Sequence, residues 1–131
     1  MNGEKPTFAA GIIERHDNRI LIALRSDESE ETRHWQFPCG PTKPGESPEE
    51  AMRRIARDDV RIEVEIIAGQ PPIVEKVDGE EVEFRYFFCG VMKGEPTPGP
   101  YAELRWVMRG HLREYDFDRP SKPVVHWLLE Q

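Results

Sequence analysis

The sequence predicts an α/β fold in which helices cover a mixed β-sheet. Stretches with the alternation and β-branched content of strands recur along the chain, and two stretches with helical spacing of apolar residues separate or follow them. The resulting order is three strands, a helix, four strands and a helix, which favours a sheet covered by helices. The length of 131 residues is that of a single domain, residues 1–131.

The first three predicted strands are short. Residues 8–14 and 19–24 are apolar and β-branched, and residues 16–18 between them have the composition of a hairpin turn. Residues 26–33 are acidic and polar without periodicity, which indicates a loop, a common place for binding residues. Residues 35–37 alternate like a third, shorter strand.

The central helix has the clearest start signal in the chain. Residues 38–45 contain three prolines and two glycines and are expected to be irregular. Ser47 then supplies an N-cap, Pro48 occupies the first helical position, and Glu50 completes a capping box. We expect the helix to run to about Asp59. Its narrow apolar stripe consists of Met52, Ile55, Ala56 and Val60.

The second half of the chain predicts mostly antiparallel sheet. Residues 62–66 alternate strictly between apolar and charged side chains. Residues 73–77 and 82–91 indicate two strands, and Asp78-Gly79 between them is a typical turn pair. Residues 93–100 are rich in glycine and proline and therefore predict a loop.

A last strand and a second helix complete the prediction. Residues 104–108 form the strand, and residues 124–129, opened by Pro123, form the core of the helix. Residues 86–88 are aromatic and can belong either to the core or to a dimer surface. The sequence therefore leaves a monomer and a homodimer open.

Composition excludes several classes of partner. The formal net charge of −7 argues against a sequence-independent grip on duplex nucleic acid, which needs clustered Lys and Arg. No apolar run approaches the ~20 residues that span a bilayer, and residues 1–7 lack the apolar block of a signal peptide. We therefore expect a cytoplasmic protein that binds no membrane. Cys39 and Cys89 are expected to be free thiols.

The middle of the chain contains a spaced motif. Gly40 is followed after five residues by Glu46 and after seven more by Arg54. This register resembles the box of the Nudix superfamily. Outside the box, residues 103–106 and 119–124 resemble a late strand and the lead into the last helix of the MutT-like branch. The resemblance implies a Nudix-type α/β/α sandwich with a mixed sheet.

The chain departs from the family pattern inside the helix. Ile55 stands where the family has the glutamate after the arginine, and Asp58 and Asp59 replace a glutamate pair. Arg61 replaces the box glycine, and a left-handed cap on a residue with a side chain costs roughly 1 kcal/mol. One acid of the pattern is therefore missing and two are a methylene shorter.

The resemblance implies a site for Mg²⁺ or Mn²⁺. Acids one turn apart on a helix converge on one side, beside the loop that carries Glu46. Hard oxygen ligands of this kind suit Mg²⁺, which takes phosphate oxygens of the substrate as further ligands. The expected ligands are the backbone carbonyl of Gly40 and the carboxylates of Glu46, Asp58, Asp59 and Glu103. Glu103 is equally well explained as a surface residue.

The residues expected to act in catalysis are Glu46, Arg54, Asp58 and Asp59. Arg54 would hold Glu46 in place by a charge-assisted hydrogen bond. An isoleucine at position 55 can neither bind a cation nor accept a proton. The general base would therefore be one of four other acids, Glu46, Glu49, Glu50 or Glu103.

Three residues are candidates for substrate binding, each with an alternative role. Arg25 at a strand end would bind phosphate, or would pair with the acidic residues 27–31. Trp35 would stack on a base. Ser121 aligns with a base-contacting position of MutT-like relatives, but serine before a helix is also an ordinary cap, which we favour.

The resemblance thus implies a pyrophosphohydrolase that uses a divalent metal. Its substrate would be a nucleoside triphosphate or another nucleoside diphosphate derivative, cleaved to the monophosphate. The alternative is a catalytically inactive Nudix-fold module that binds nucleotide or regulates a partner, with Ile55 as the trace of lost catalysis.

Overall fold

The computed structural model describes residues 5–131. The segment 1–4, part of the stretch considered for a signal peptide, lies outside the described residues. Two α-helices accompany the sheet, α1 (Pro48–Val60) and α2 (Lys122–Leu129). The strands described are β1 (Thr7–Glu14), β2 (Arg19–Leu24), β3 (Trp35–Gln36), β4 (Cys39–Pro41), β5 (Glu63–Gly69), β6 (Ile73–Val77), β7 (Glu80–Lys93) and β8 (Glu103–Met108).

All eight strands belong to one mixed sheet. Its main path runs β3-β2-β1-β7-β5, with β4 paired to β1, β6 to β7 and β8 to β2. The pairing of β1 with β7 is parallel, and the other strand pairs are antiparallel. The predicted mixed sheet with covering helices is therefore confirmed.

Each face of the sheet is covered by one helix, and β1 shows how the chain divides its side chains between them. Ala9 and Ile13 pack in the apolar cluster beneath α1, whereas Ala10 and Ile12 pack in the cluster beneath α2. This alternation follows from the two-residue period of a strand. Gly11 lets α1 approach closely, because a Cβ there would lie 2.7 Å from the Cε of Met52.

The backbone before α1 is more regular than the sequence indicates. The prediction of irregular backbone over residues 38–45 is wrong for β4, which pairs with β1 through three successive residues. The N–H of Gly11 also donates to the Pro38 carbonyl at 3.0 Å. The partner strand lies far away along the chain and satisfies the backbone of β4, so local proline and glycine content does not reveal this strand.

Both ends of α1 follow the predicted chemistry. The Ser47 side chain accepts from the Glu50 N–H at 3.1 Å, and the Glu50 carboxylate accepts from the Ser47 N–H at 2.8 Å, which confirms the capping box. At the other end Arg61 adopts the left-handed conformation with φ 64° and ψ 36°. The cap that the family builds with glycine is thus made here by an arginine.

The aromatic residues 86–88 belong to the core rather than to an exposed face. Tyr86 and Phe87 are buried, and Phe88 is partly buried against the α2 cluster. Two short 3₁₀ helices that the sequence pattern does not predict, Arg109–Glu114 and Arg119–Ser121, connect β8 to α2. Among residues 5–131, neither helix is long and apolar enough to cross a bilayer.

Candidate functional site

Glu46 and Arg54 form the best-defined polar contact of the motif. The Nε of Arg54 donates to Glu46 Oε2 at 2.7 Å, and Nη2 donates to Oε1 at 3.0 Å and to the Pro41 carbonyl at 3.0 Å. The Lys43 N–H donates to the same carboxylate at 2.9 Å. These bonds, the Arg54 bond first, lower the pKa of Glu46 to about 2. Glu46 is therefore ionised and oriented, and both of its oxygens are engaged.

Ile55 lies in the apolar core, beside the strand that carries Gly40. Its side chain is 1% exposed and belongs to the cluster beneath α1. A Cβ built at Gly40 would lie 3.2 Å from the Cδ1 of Ile55. The side chain at this position thus fills the space between α1 and β4.

The two aspartates of the box differ in their surroundings. Asp58 is exposed and accepts a hydrogen bond from Arg57 at 3.0 Å. Asp59 is half-buried and lines a cavity of about 390 Å³. Burial raises the pKa of Asp59, and the nearby charge of Asp58 acts in the same direction. Of the box carboxylates, only Asp59 is brought to this cavity.

The cavity lies between the end of α1, β4 and the segment before α2. Its walls include β1, β7 and a loop that packs on the end of α1, where a Cβ at Gly99 would overlap the Asp59 carbonyl oxygen. The apolar side chains that line it include Phe8, Phe37, Phe84, Tyr86 and Tyr101. A cavity of this size, with aromatic walls and several polar side chains among them, is typical of a small-molecule site.

Arg25 lines the cavity and is held by acidic neighbours. It donates to both oxygens of Asp27, at 3.0 and 2.7 Å, and its Nη1 lies 3.4 Å from Asp118 Oδ2. Asp27 and Asp118 line the cavity too. The pairing of Arg25 with the acidic loop, the alternative left open by the sequence, is the one present in the structure.

Only one of the three remaining predicted site residues, Ser121, lines the cavity, and Trp35 and Glu103 do not. Trp35 is 9% exposed, packs edge-on against Tyr115 and is absent from the cavity wall. Ser121 is buried and lines the cavity. It precedes α2, but its side chain makes no capping bond there, contrary to the role favoured above. Glu103 is not part of the cavity wall, and its Oε2 accepts a hydrogen bond from Arg105 Nε at 2.6 Å.

Several cavity residues escaped the sequence analysis. Asp118 lies after the first 3₁₀ helix and caps the second, accepting from the Ser121 N–H at 3.2 Å, and burial raises its pKa. Tyr101 donates to the Cys39 carbonyl at 3.4 Å and thereby ties the cavity loop to β4. Gln36 donates to the Cys39 thiol at 3.1 Å. An aspartate followed at once by Arg-Pro-Ser is a cap signature that points to Asp118 as an ordered residue.

The donors present fit only one kind of metal site. Within residues 5–131, no three His, Cys, Asp or Glu side chains are grouped to hold an ion. The ionisable side chains of the cavity wall are the carboxyl groups of Asp27, Asp59 and Asp118 and the single guanidinium of Arg25. Mg²⁺ is often bound by one or two carboxylates together with substrate phosphates. The set therefore suits an ion that shares its ligands with a bound phosphate chain.

Comparison with known proteins gives consistent matches. A family model described as the NUDIX domain matches residues 5–128. The CTP pyrophosphohydrolase of Escherichia coli (strain K12) is 39% identical over 116 residues, covering 88% of this chain and 85% of that protein. The 8-oxo-dGTP diphosphatase of Haemophilus influenzae is 26% identical over 127 residues, covering 94% and 90%. A solved structure in a study of MutT from Aliivibrio salmonicida and Vibrio cholerae matches with a TM-score of 0.73 at 27% identity, covering 98% and 99%.

Proposed function

This chain belongs to the NUDIX domain family, and from that membership we propose that it hydrolyses nucleoside triphosphates or related nucleoside diphosphate derivatives with the help of a divalent metal ion. The relatives named for CTP and 8-oxo-dGTP support a nucleoside triphosphate as the substrate class. The expected products are a nucleoside monophosphate and pyrophosphate, or a second phosphorylated product when the substrate is a conjugate.

The observation that carries this proposal is the position of Asp59 in the wall of an aromatic cavity. A planar base can pack against Phe37, Phe84 and Tyr86, while Asp59 at the end of α1 remains beside the same space. Because carboxylates outnumber cations in the wall, a free polyphosphate would be repelled. A nucleotide that arrives bound to Mg²⁺ or Mn²⁺ would not be repelled, because the ion neutralises part of the phosphate charge.

Each residue has a distinct part in this proposal. The Asp59 carboxylate and the Gly40 carbonyl would hold the ion against the phosphate chain. The ion, when bound, neutralises phosphate charge and lowers the pKa of the attacking water. Arg54 keeps Glu46 ionised and fixes the loop before α1. Glu46, Glu103 and Asp58, expected above as further metal ligands, are each engaged by an arginine in the structure.

The test is release of pyrophosphate or phosphate from a panel of nucleoside triphosphates and diphosphate conjugates with Mg²⁺ or Mn²⁺. Asp59→Asn should lower turnover by about 100-fold or more, because the ion loses its carboxylate and its alignment. Asp58→Asn is the matched control, since the neighbouring aspartate is exposed outside the cavity wall, and it should lose less than about tenfold. Equal losses in both variants would contradict the role given to Asp59.

The burial of Ile55 favours a second candidate function. Where the family pattern has an acid, this chain has an apolar side chain packed into its core. The alternative is therefore a catalytically inactive module that binds nucleotide or regulates a partner. It predicts metal-dependent nucleotide binding in calorimetry with no product from any member of the panel. Turnover that Asp59→Asn abolishes would exclude it.

A further inference from the structure

The backbone of Cys39 bonds to a side chain instead of a second strand. β4 pairs with β1, and within residues 5–131 no other strand is paired to it. The Cys39 N–H donates to the hydroxyl oxygen of Tyr101 at 3.2 Å, and the same hydroxyl donates to the Cys39 carbonyl at 3.4 Å. One tyrosine hydroxyl therefore serves both backbone groups at the start of β4.

The far end of β4 is held by a side chain as well. The Pro41 carbonyl accepts from Arg54 Nη2 at 3.0 Å. Gly40 lies between the two residues that are held in this way, Cys39 and Pro41. The position of the Gly40 backbone therefore depends on Arg54 of α1 and on the Tyr101 hydroxyl.

Tyr101 belongs to the loop between β7 and β8, which rests on the end of α1. A Cβ at Gly99 of this loop would overlap the Asp59 carbonyl oxygen. On its other side the loop is bonded to the chain after β2, since Ser26 Oγ donates to the Pro100 carbonyl at 2.6 Å. These contacts fix the loop against the residue that carries the cavity carboxylate of α1.

The Tyr101 hydroxyl keeps its proton beside the cavity. Tyr101 and Asp59 both line the cavity. Burial raises the pKa of Tyr101, and the negative charge of Asp59 acts in the same direction. The hydroxyl can therefore donate and accept at once, as its two contacts with Cys39 require.

We propose that Tyr101 is a positioning residue, whose hydroxyl holds β4 against the end of α1 and thereby aligns the Gly40 carbonyl with the Asp59 carboxylate. The proposal rests on the proposed function, which assigns the metal ion to these two groups. Tyr101 acts through the backbone of Cys39. Without the hydroxyl, the aromatic ring would stay in the cavity wall, but β4 would be free to shift. Because a displacement of about 1 Å at a reacting centre can cost ~10²-fold in rate, a small shift of β4 is enough to slow turnover.

The experiment measures kcat and KM of Tyr101→Phe for the nucleotide of the panel that the unaltered protein hydrolyses fastest. The value of kcat should fall by about tenfold or more, since the loss of a group that orients a metal ligand typically has that effect. The value of KM should change less than about twofold, because the cavity wall is kept and only alignment is lost. Hydrogen exchange at the Cys39 amide should become faster, which reports the loss of the bond directly. A rise in KM at unchanged kcat overturns the proposal, because it would indicate a contact with substrate.

Two control variants separate positioning from lost stability. Tyr115→Phe removes the same hydroxyl from a partly buried tyrosine that accepts from Arg105 outside the cavity wall, and it should keep kcat. Tyr101→Phe should also melt at a lower temperature, because the Cys39 N–H loses its acceptor. Ile12→Val removes a buried methyl group in the cluster beneath α2 and provides a comparable loss of melting temperature. An equal fall of kcat in Ile12→Val, or an unchanged kcat in Tyr101→Phe, overturns the proposal.

Binding measurements distinguish failure of this proposal from failure of the proposed function. Dissociation constants of CTP are measured by calorimetry with and without Mn²⁺. If no nucleotide is hydrolysed, a gain in affinity with Mn²⁺ that Tyr101→Phe reduces by about tenfold and Tyr115→Phe retains upholds the positioning role and rejects hydrolysis. A gain that Tyr101→Phe retains rejects the positioning role. Hydrolysis that Tyr101→Phe leaves unchanged upholds the proposed function alone, and absence of both hydrolysis and Mn²⁺-dependent binding rejects both.

Discussion

Ile55 shows how a single residue can change what a conserved architecture is able to hold. In the space between α1 and β4, where the family pattern has a glutamate, the isoleucine side chain packs against the position of Gly40. It contributes apolar burial and no oxygen ligand. The carboxylate that remains in the cavity wall at the end of α1 is that of Asp59.

Replacing Ile55 by glutamate should lower the stability of the fold and raise its affinity for a metal ion. Without a metal, Ile55→Glu should lower the melting temperature, because a buried charge without a partner is unfavourable. Mn²⁺ or Mg²⁺ should recover part of that loss and raise turnover, measured by thermal denaturation and product release. Ile55→Gln has the same shape without the charge and should show neither recovery. A metal response of equal size in both variants would contradict this account.

The ion pair of Glu46 with Arg54 should appear in the pH dependence of stability. Bonds from Arg54 and the Lys43 N–H hold the folded-state pKa of Glu46 at about 2, below its ordinary value of 4.5. A depressed pKa stabilises the fold above the ordinary value, and this contribution is lost as the pH falls toward the folded pKa. Denaturant midpoints measured between about pH 6 and about pH 3 should therefore fall less in Glu46→Gln than in the parent. Glu49→Gln, at an exposed neighbouring position, should retain the fall of the parent.

At the scale of elements, α1 ends in a left-handed cap that is strained because the residue there is not glycine. The helix ends with Arg61 in the left-handed region, and its N–H donates to the Ala56 carbonyl. The loop between β7 and β8 packs directly on this end, since the Thr97 N–H donates to the Val60 carbonyl at 3.0 Å. The conformation of the cap therefore helps to place the loop that closes one side of the cavity.

Arg61→Gly should stabilise the protein by about 0.5–1 kcal/mol, because glycine adopts the left-handed cap without steric strain. Chemical denaturation monitored by circular dichroism gives the change in the free energy of unfolding. Arg53→Gly, at an exposed position inside the same helix, should destabilise by about 1 kcal/mol. A loss of stability in both variants would show that the Arg61 side chain contributes more than its backbone strain removes.

At the scale of the whole molecule, both helices cover opposite faces of one sheet. Clusters beneath α1 and α2 share the strands β1 and β7, with alternate residues of each strand facing the two sides. A substitution that disturbs packing on one face of these strands should therefore also destabilise packing on the other face. The shared strands favour one folding unit for residues 5–131, and a single domain over residues 1–131 stays a prediction.

One cooperative transition is expected on heating. Ellipticity and tryptophan fluorescence should give the same midpoint, because neither helix can leave the sheet without exposing a shared strand. Met52→Ala, which opens a cavity beneath α1, should lower both midpoints together by an amount equivalent to about 2–5 kcal/mol. Two separate midpoints, or a shift in only one probe, would indicate more than one folding unit.

The sequence by itself determined most of the elements and the family. Apolar periodicity located seven of the strands and both helices, since side-chain alternation is a local property of the chain. The capping box at Ser47 and the spacing of Gly40, Glu46 and Arg54 are also local, and they placed the motif on a loop and helix. The left-handed cap at Arg61 followed from the motif as well.

The tertiary structure decided which side chains share the cavity. β4 exists because β1 supplies its hydrogen bonds, and Asp118 meets Arg25 because the segment before α2 is bonded to β3. Tertiary packing also buries the side chains of Trp35 and Ile55 in the core. These outcomes depend on contacts between residues far apart in the chain, and no local pattern of spacing or composition contains that information.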